Sequence, residues 1–233
     1  SVDSAVVEIR TERRVAASTS GTSATAASLG SGFLISADGR IMTAAHVVQV
    51  ADDLKVHFVT GDVVNARVLS SSPSADVALI LADSVPEGVT PAAVGNSDVV
   101  EVGDQVFVIG APYGISHSLT VGHVSARRVS DRLFGGFRSV ELLQTDAVIN
   151  QGNSGGPLFS MRGEVVGVVA AKHQIAPGGA HDDAVVLVVH SRPSRCSGDL
   201  CIIPPRRRSP LDLLHVLGWR RGRRRSGRRE ANP

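Results

Sequence analysis

Ser154 lies within Gly152-Asn153-Ser154-Gly155-Gly156, the run with the most chemical potential in this chain. Glycine on both sides lets the backbone turn sharply and gathers its N–H groups. An exposed hydroxyl beside converging donors suits acyl transfer, because the hydroxyl attacks a carbonyl and the donors receive the oxyanion that forms. The donors here are the N–H groups of Gly152 and Ser154, with that of Asn153 between them. The same residues are also good turn chemistry between two strands, so the serine has to be read with its possible partners. Thr43-Ala44-Ala45-His46-Val47-Val48 lies upstream, and Ala75-Asp76-Val77-Ala78-Leu79-Ile80 lies between the two. A serine hydroxyl is a poor nucleophile until a base takes its proton. A neutral imidazole does so near pH 7, and a buried carboxylate fixes its tautomer and steadies the imidazolium. His46, Asp76 and Ser154 offer those three groups.

Asp76 follows Ser71-Ser72-Pro73-Ser74, where an acid ordinarily means no more than a solvated loop. Val77-Ala78-Leu79-Ile80 buries the chain at once, however, which sets Asp76 beside a core and in need of a partner. His46 directly follows a strand over Arg40–Thr43, a position at a barrel rim facing a cleft. The strands expected before the midpoint are Ser4–Thr11, Gly32–Ser36, Arg40–Thr43, Asp53–Thr60, Val63–Ser70 and Val77–Ala82. Asp38-Gly39 and Gly61-Asp62 make turns among them. Six strands suffice for a small closed barrel. Val15–Leu29, small and polar, reads as a flexible loop, and Val85–Val94, with Pro86 and Pro91, as a linker. Gln105–Gly110, Ser118–Arg127, Ser139–Asp146, Pro157–Ser160, Glu164–Ala171 and the apolar run Ala184–Val189 supply a second set of six. The fold class read from these strands is all-β, with enough strands for two small six-stranded antiparallel barrels. His117 and His123 read as strand or rim histidines.

The composition agrees. The chain has 233 residues, 42% of them apolar and 3% aromatic, which suits many short strands packed without large side chains. No run of eighteen apolar residues marks a membrane span. The only cysteines are Cys196 and Cys201, so the barrels are held by packing. No cluster of metal ligands is present, and no cofactor is implied. Ser1 opens the chain without methionine or a charged-then-apolar leader, as expected either of a processed form, in which an export signal would have been removed, or of an engineered start.

The three stretches resemble the HtrA/DegP family of serine proteases. The resemblance is carried by Gly30-Ser31-Gly32-Phe33, Thr43-Ala44-Ala45-His46-Val47, Ala75-Asp76-Val77-Ala78, Gly110-Ala111-Pro112-Tyr113-Gly114 and the run from Thr145 to Pro157, in that order, across about residues 6–172. It implies a trypsin-like double barrel, with the catalytic cleft between the two barrels, and an endopeptidase that acts on unfolded or damaged protein. It also implies residence in the bacterial envelope or periplasm, and a homotrimer. Gln151 stands where the family usually has proline. By the same resemblance the residue six before the nucleophile, Val148, lies at the base of the specificity pocket beside Ile149, with Ala171 and Lys172 on the far wall. An apolar base without an acid implies cleavage after small or medium aliphatic residues.

Beyond about Ala180 the resemblance ends. Residues 190–233 hold twelve arginines against three acids, a balance of +9, whereas residues 1–189 stand at −7. We divide the chain into a protease domain over 1–190, with barrels at about 4–84 and 102–190, and an arginine-rich tail over 191–233 without a PDZ domain. Three accounts of the tail stand side by side: a basic segment for nucleic acid or anionic surfaces, a solvated segment without a partner, or out-of-frame sequence after about Asp182. Two further functions compete with proteolysis. One is an idle protease fold that holds unfolded clients, and the other is nucleic-acid binding through the tail.

Overall fold

Several strands of this chain are apolar at consecutive positions rather than alternate ones, a pattern that requires something apolar on both faces of a sheet. The computed structural model, which describes residues 2–15, 24–49, 51–111, 118–129, 141–172 and 184–188, supplies both. Its strands are β1 (Val6–Val15), β2 (Ala24–Leu34), β3 (Arg40–Thr43), β4 (Asp53–Phe58), β5 (Val63–Ser72) and β6 (Val77–Ala82), then β7 (Gln105–Gly110), β8 (Ser118–Val129), β9 (Glu141–Thr145), β10 (Pro157–Ser160), β11 (Val165–Lys172) and β12 (Ala184–Val188). One short helix, α1 (Ala45–Val48), follows β3. The first six strands close into a barrel in the order β1-β2-β3-β6-β5-β4, and the last six into a second in the order β10-β11-β12-β9-β8-β7. Neighbouring strands in both barrels run antiparallel. The all-β, two-barrel fold expected from the sequence is the fold observed.

Alternate residues of the apolar runs feed different cores. Val7, Ile9, Leu34, Ile41, Ala78 and Ile80 pack together inside the first barrel. Val108, Leu143, Leu158, Val166 and Val169 fill the second. Their immediate neighbours Val6, Phe33, Met42, Val77 and Leu79 from the first barrel, and Leu142, Phe159, Val165 and Val168 from the second, join in a third cluster shared by both. The two barrels are thus fused through an apolar seam, and Phe33 and Phe159 are fully buried in it. The segment between the barrels is pinned to β11: Val165 N donates to Ala93 O at 2.8 Å, and Gly95 N donates to Val165 O at 2.9 Å.

One expectation is corrected. Val15–Leu29 is not all loop, because β1 extends to Val15 and β2 starts at Ala24, the two ending opposite each other. Ala27 and Ser28 of this pairing are exposed, so their part of the hairpin has ladder partners without core to cover. Strand β12 occupies the place expected for Ala184–Val189 and closes the second barrel against β9 and β11. The arginine-rich tail with Cys196 and Cys201, and His117, lie outside the described residues.

Candidate active site

Asp76 holds His46 at two points. Its carboxylate accepts from the His46 backbone N–H at 2.9 Å, and its two oxygens lie 2.8 and 3.0 Å from His46 Nδ1. A carboxylate only accepts, so Nδ1 carries the proton and Nε2 is left as the acceptor. The local sequence explains both positions. Strand β3 ends at Thr43, and α1 swings the histidine out while Val47 and Val48 stay buried in the first barrel. His46 itself is exposed. Asp76 ends the turn over residues 73–76 with φ +45°, the one non-glycine residue with positive φ among those described. Aspartate tolerates that region better than most side chains. Its residue is 6% exposed, so the carboxylate is spent on His46 rather than on water.

Ser154 sits in a loop between two glycines with positive φ, Gly152 at +103° and Gly155 at +85°. The loop is fixed peptide by peptide. Asn153 N donates to Asn150 O at 3.1 Å, Gly156 N to Asn153 O at 2.9 Å, and Gly155 N to Val169 O at 2.6 Å. Ser154 O accepts from Ser31 N at 2.8 Å. Among the described residues, the N–H groups of Gly152 and Ser154 are left without an acceptor, whereas that of Asn153 is already in use. The Asn153 side chain is buried against Gly110 and has no hydrogen-bond partner among the described residues.

The serine loop packs beside the residues that precede the histidine. A Cβ on Gly155 would stand 2.2 Å from Thr43 Oγ1 and 2.8 Å from Ala44 N, so the serine loop lies against the strand end that leads into His46. A Cβ on Gly30 would meet the Val47 side chain at 2.6 Å and Ser154 O at 3.1 Å. Among the described contacts no hydrogen bond joins the two side chains. Of the expected pocket residues, Val148 is 59% exposed and Ile149 is buried in the second-barrel core. The backbones of Ala171 and Lys172 pair with Val185 and Ala184 in β11 and β12, and their side chains lie outside the described residues. A separate concavity of about 220 Å³, bounded by Val99, Gln105, Val106, Met161 and Arg162 among others, contains none of these residues. No group of three metal-ligating side chains occurs among the described residues.

Residues 30–168 match the model of the trypsin-like peptidase domain. That match covers more than half of the chain, and the chain belongs to this family. Its relatives are of the HtrA/DegP kind. A protein of Ectopseudomonas mendocina named "Probable periplasmic serine endoprotease DegP-like" is 44% identical over 143 residues, which are 61% of this chain and 29% of that one. A protein of the same name from Halomonas elongata is 43% identical over 141 residues, 60% of this chain and 29% of the relative. The solved structure titled "HtrA-type protease AlgW with decapeptide" superposes with a TM-score of 0.67 at 27% identity, covering 80% of this chain and 61% of that one. The matched residues thus span 29% of the length of each of these two curated relatives.

Proposed function

We propose that this chain is a serine endopeptidase of the bacterial envelope that cleaves unfolded or damaged proteins. The observation that carries the reading is the double attachment of His46 to Asp76, with the loop of Ser154 packed on the strand end that leads into the histidine. In the proposed mechanism Ser154 Oγ attacks the scissile carbonyl and His46 Nε2 takes its proton, while Asp76 keeps the ring in the useful tautomer and balances the imidazolium. The N–H groups of Gly152 and Ser154 receive the oxyanion. His46 then protonates the leaving amine, and water releases the acyl-enzyme. The absence of an acid from residues 147–151 favours cleavage after small or medium aliphatic residues over basic ones. No helix among the described residues is long and apolar enough to cross a membrane.

Degradation of casein by the chain, set beside Ser154→Ala, tests this. The parent is expected to degrade it, and the variant to fall to background while keeping the parental melting temperature. Equal proteolysis by both would refute the assignment of the nucleophile.

A further inference from the structure

Ser31 is a residue of the first barrel whose bonds go mainly to the second. It lies in β2 and is 0% exposed. Its Oγ donates to Gly152 O at 2.7 Å and accepts from Ala111 N at 3.0 Å. Its own N–H donates to Ser154 O at 2.8 Å. Its carbonyl accepts from Thr43 Oγ1 at 2.7 Å, and Thr43 is the last residue of the strand that runs into His46. One serine therefore bonds to the carbonyls of both Gly152 and Ser154 and is tied to the end of β3, just before the base, at the same time.

The consequence for the loop follows from peptide planarity. The Gly152–Asn153 peptide is held at both ends, its carbonyl by Ser31 Oγ and its N–H by Asn150 O. The Ser154–Gly155 peptide is held at both ends by Ser31 N and Val169 O. Each trans peptide is rigid, and the Asn153–Ser154 peptide between these two has its carbonyl held by Gly156 N, so the direction of the Ser154 N–H is set, while the Gly152 N–H is constrained from one side through the fixed Gly152–Asn153 peptide. These are the two N–H groups without an acceptor among the described residues. Packing alone does not call for a hydroxyl at a site with no exposure, where burying one without partners costs free energy. Here it satisfies two backbone groups of the other barrel that would otherwise be orphaned.

We infer that Ser31 is a positioning residue of the peptidase, holding the oxyanion-binding loop in register with the end of β3, the strand that leads into His46. The inference rests on the reading of Ser154 as the nucleophile. It assigns Ser31 no contact with substrate. Its hydroxyl acts through Gly152, and Thr43 supports it through the Ser31 carbonyl.

The test counts working sites before it measures rate. The full chain and Ser31→Ala are titrated to completion with a fluorophosphonate that labels Ser154, and kcat and KM are then taken per labelled site on a short peptide. A lost oxyanion donor lowers kcat by about 10²- to 10³-fold. Ser31→Ala is expected to lose about 10²-fold in kcat per site, with KM within about threefold and the acid limb of the pH profile unmoved, since the His46–Asp76 pair is untouched. A purely structural role lowers the number of sites and leaves kcat per site near the parent, which would overturn the inference. A displaced acid limb would place the damage at His46 and overturn it equally. If Ser31→Ala fails to fold, Ser31→Cys, which fills the space with a weaker donor, carries the same test with at least a tenfold loss expected. A parent chain that takes up no fluorophosphonate at Ser154 would fail the nucleophile assignment itself, and the inference with it. A labelled parent with an unimpaired variant would fail Ser31 alone.

Discussion

Asp76 does two jobs with one carboxylate, and they separate by substitution. In Asp76→Asn the side chain keeps its shape and still tolerates φ +45°, but its amide nitrogen can no longer accept from His46 Nδ1. The ring is then held in the wrong tautomer, and kcat should drop by about 10⁴-fold with little change in melting temperature. Asp76→Ala additionally orphans the His46 N–H and strains the backbone, a cost of about 1–3 kcal/mol visible in urea unfolding. An Asp76→Asn variant with activity within tenfold of the parent would show that the carboxylate is dispensable. His57 behaves differently. Burial, and then the Arg10 and Lys55 charges, lower its pKa against the opposing pull of Glu8, which sits directly across from it in β1. The folded chain therefore resists protonating His57. Stability is full above the ordinary histidine pKa of about 6.5 and is lost as pH falls through it, until the lowered folded value is passed. His57→Gln removes this term, so its melting temperature should fall less than the parent's between pH 7.5 and 5.5. Equal falls would exclude His57 as a source of acid sensitivity.

At the scale of elements, the positive-φ glycines divide by what surrounds them. Gly61 turns β4 into β5 with φ +91° and nothing within 4 Å of an added Cβ, so Gly61→Ala should cost only the left-handed backbone penalty of about 1–2 kcal/mol. Gly155 has a similar φ, but a Cβ there would overlap Thr43 Oγ1 at 2.2 Å and Ser31 O at 2.3 Å. Gly155→Ala must push the serine loop off the first barrel, and the expected loss exceeds that of Gly61→Ala by at least about 2 kcal/mol, with activity abolished. Urea unfolding of the pair checks the order, and comparable losses would mean that the loop does not press on β2 and β3 as described. Directly after β3, α1 buries Val47 against Gly30 and leaves His46 turned outward.

For the whole molecule the decisive feature is the seam between the barrels. Phe159 is fully buried in it and stacks on Phe107 with ring centres 5.0 Å apart. Phe159→Ala should cost about 3–5 kcal/mol. Because Phe33, Met42 and Leu79 of the first barrel share the cluster, both barrels should feel the loss and unfold in one transition, seen as coincident curves from far-UV circular dichroism and hydrogen exchange of each barrel. Separate transitions would show that the seam does not couple them. Much of this was legible in the sequence. Turn residues and apolar runs located ten of the twelve strands closely, since strand length and turn chemistry are local properties. His46, Asp76 and Ser154 stood out because each is flanked by residues that force its setting: apolar strands beside the first two, glycines beside the third. The sequence alone determined the barrel count, the chemical types at the candidate site and the order of its parts. What it could not express is contact between residues far apart in the chain. The full length of β1 and β2 depends on their pairing. The division of Val77-Ala78-Leu79-Ile80 between two cores depends on a second barrel lying outside the first. Ser31 looks like one small residue in a glycine-rich strand until folding brings Gly152, 121 positions away, against its hydroxyl. Those features belong to the tertiary structure because a hydrogen bond or a packed face is defined by its partner, and only the folded chain selects which partner that is.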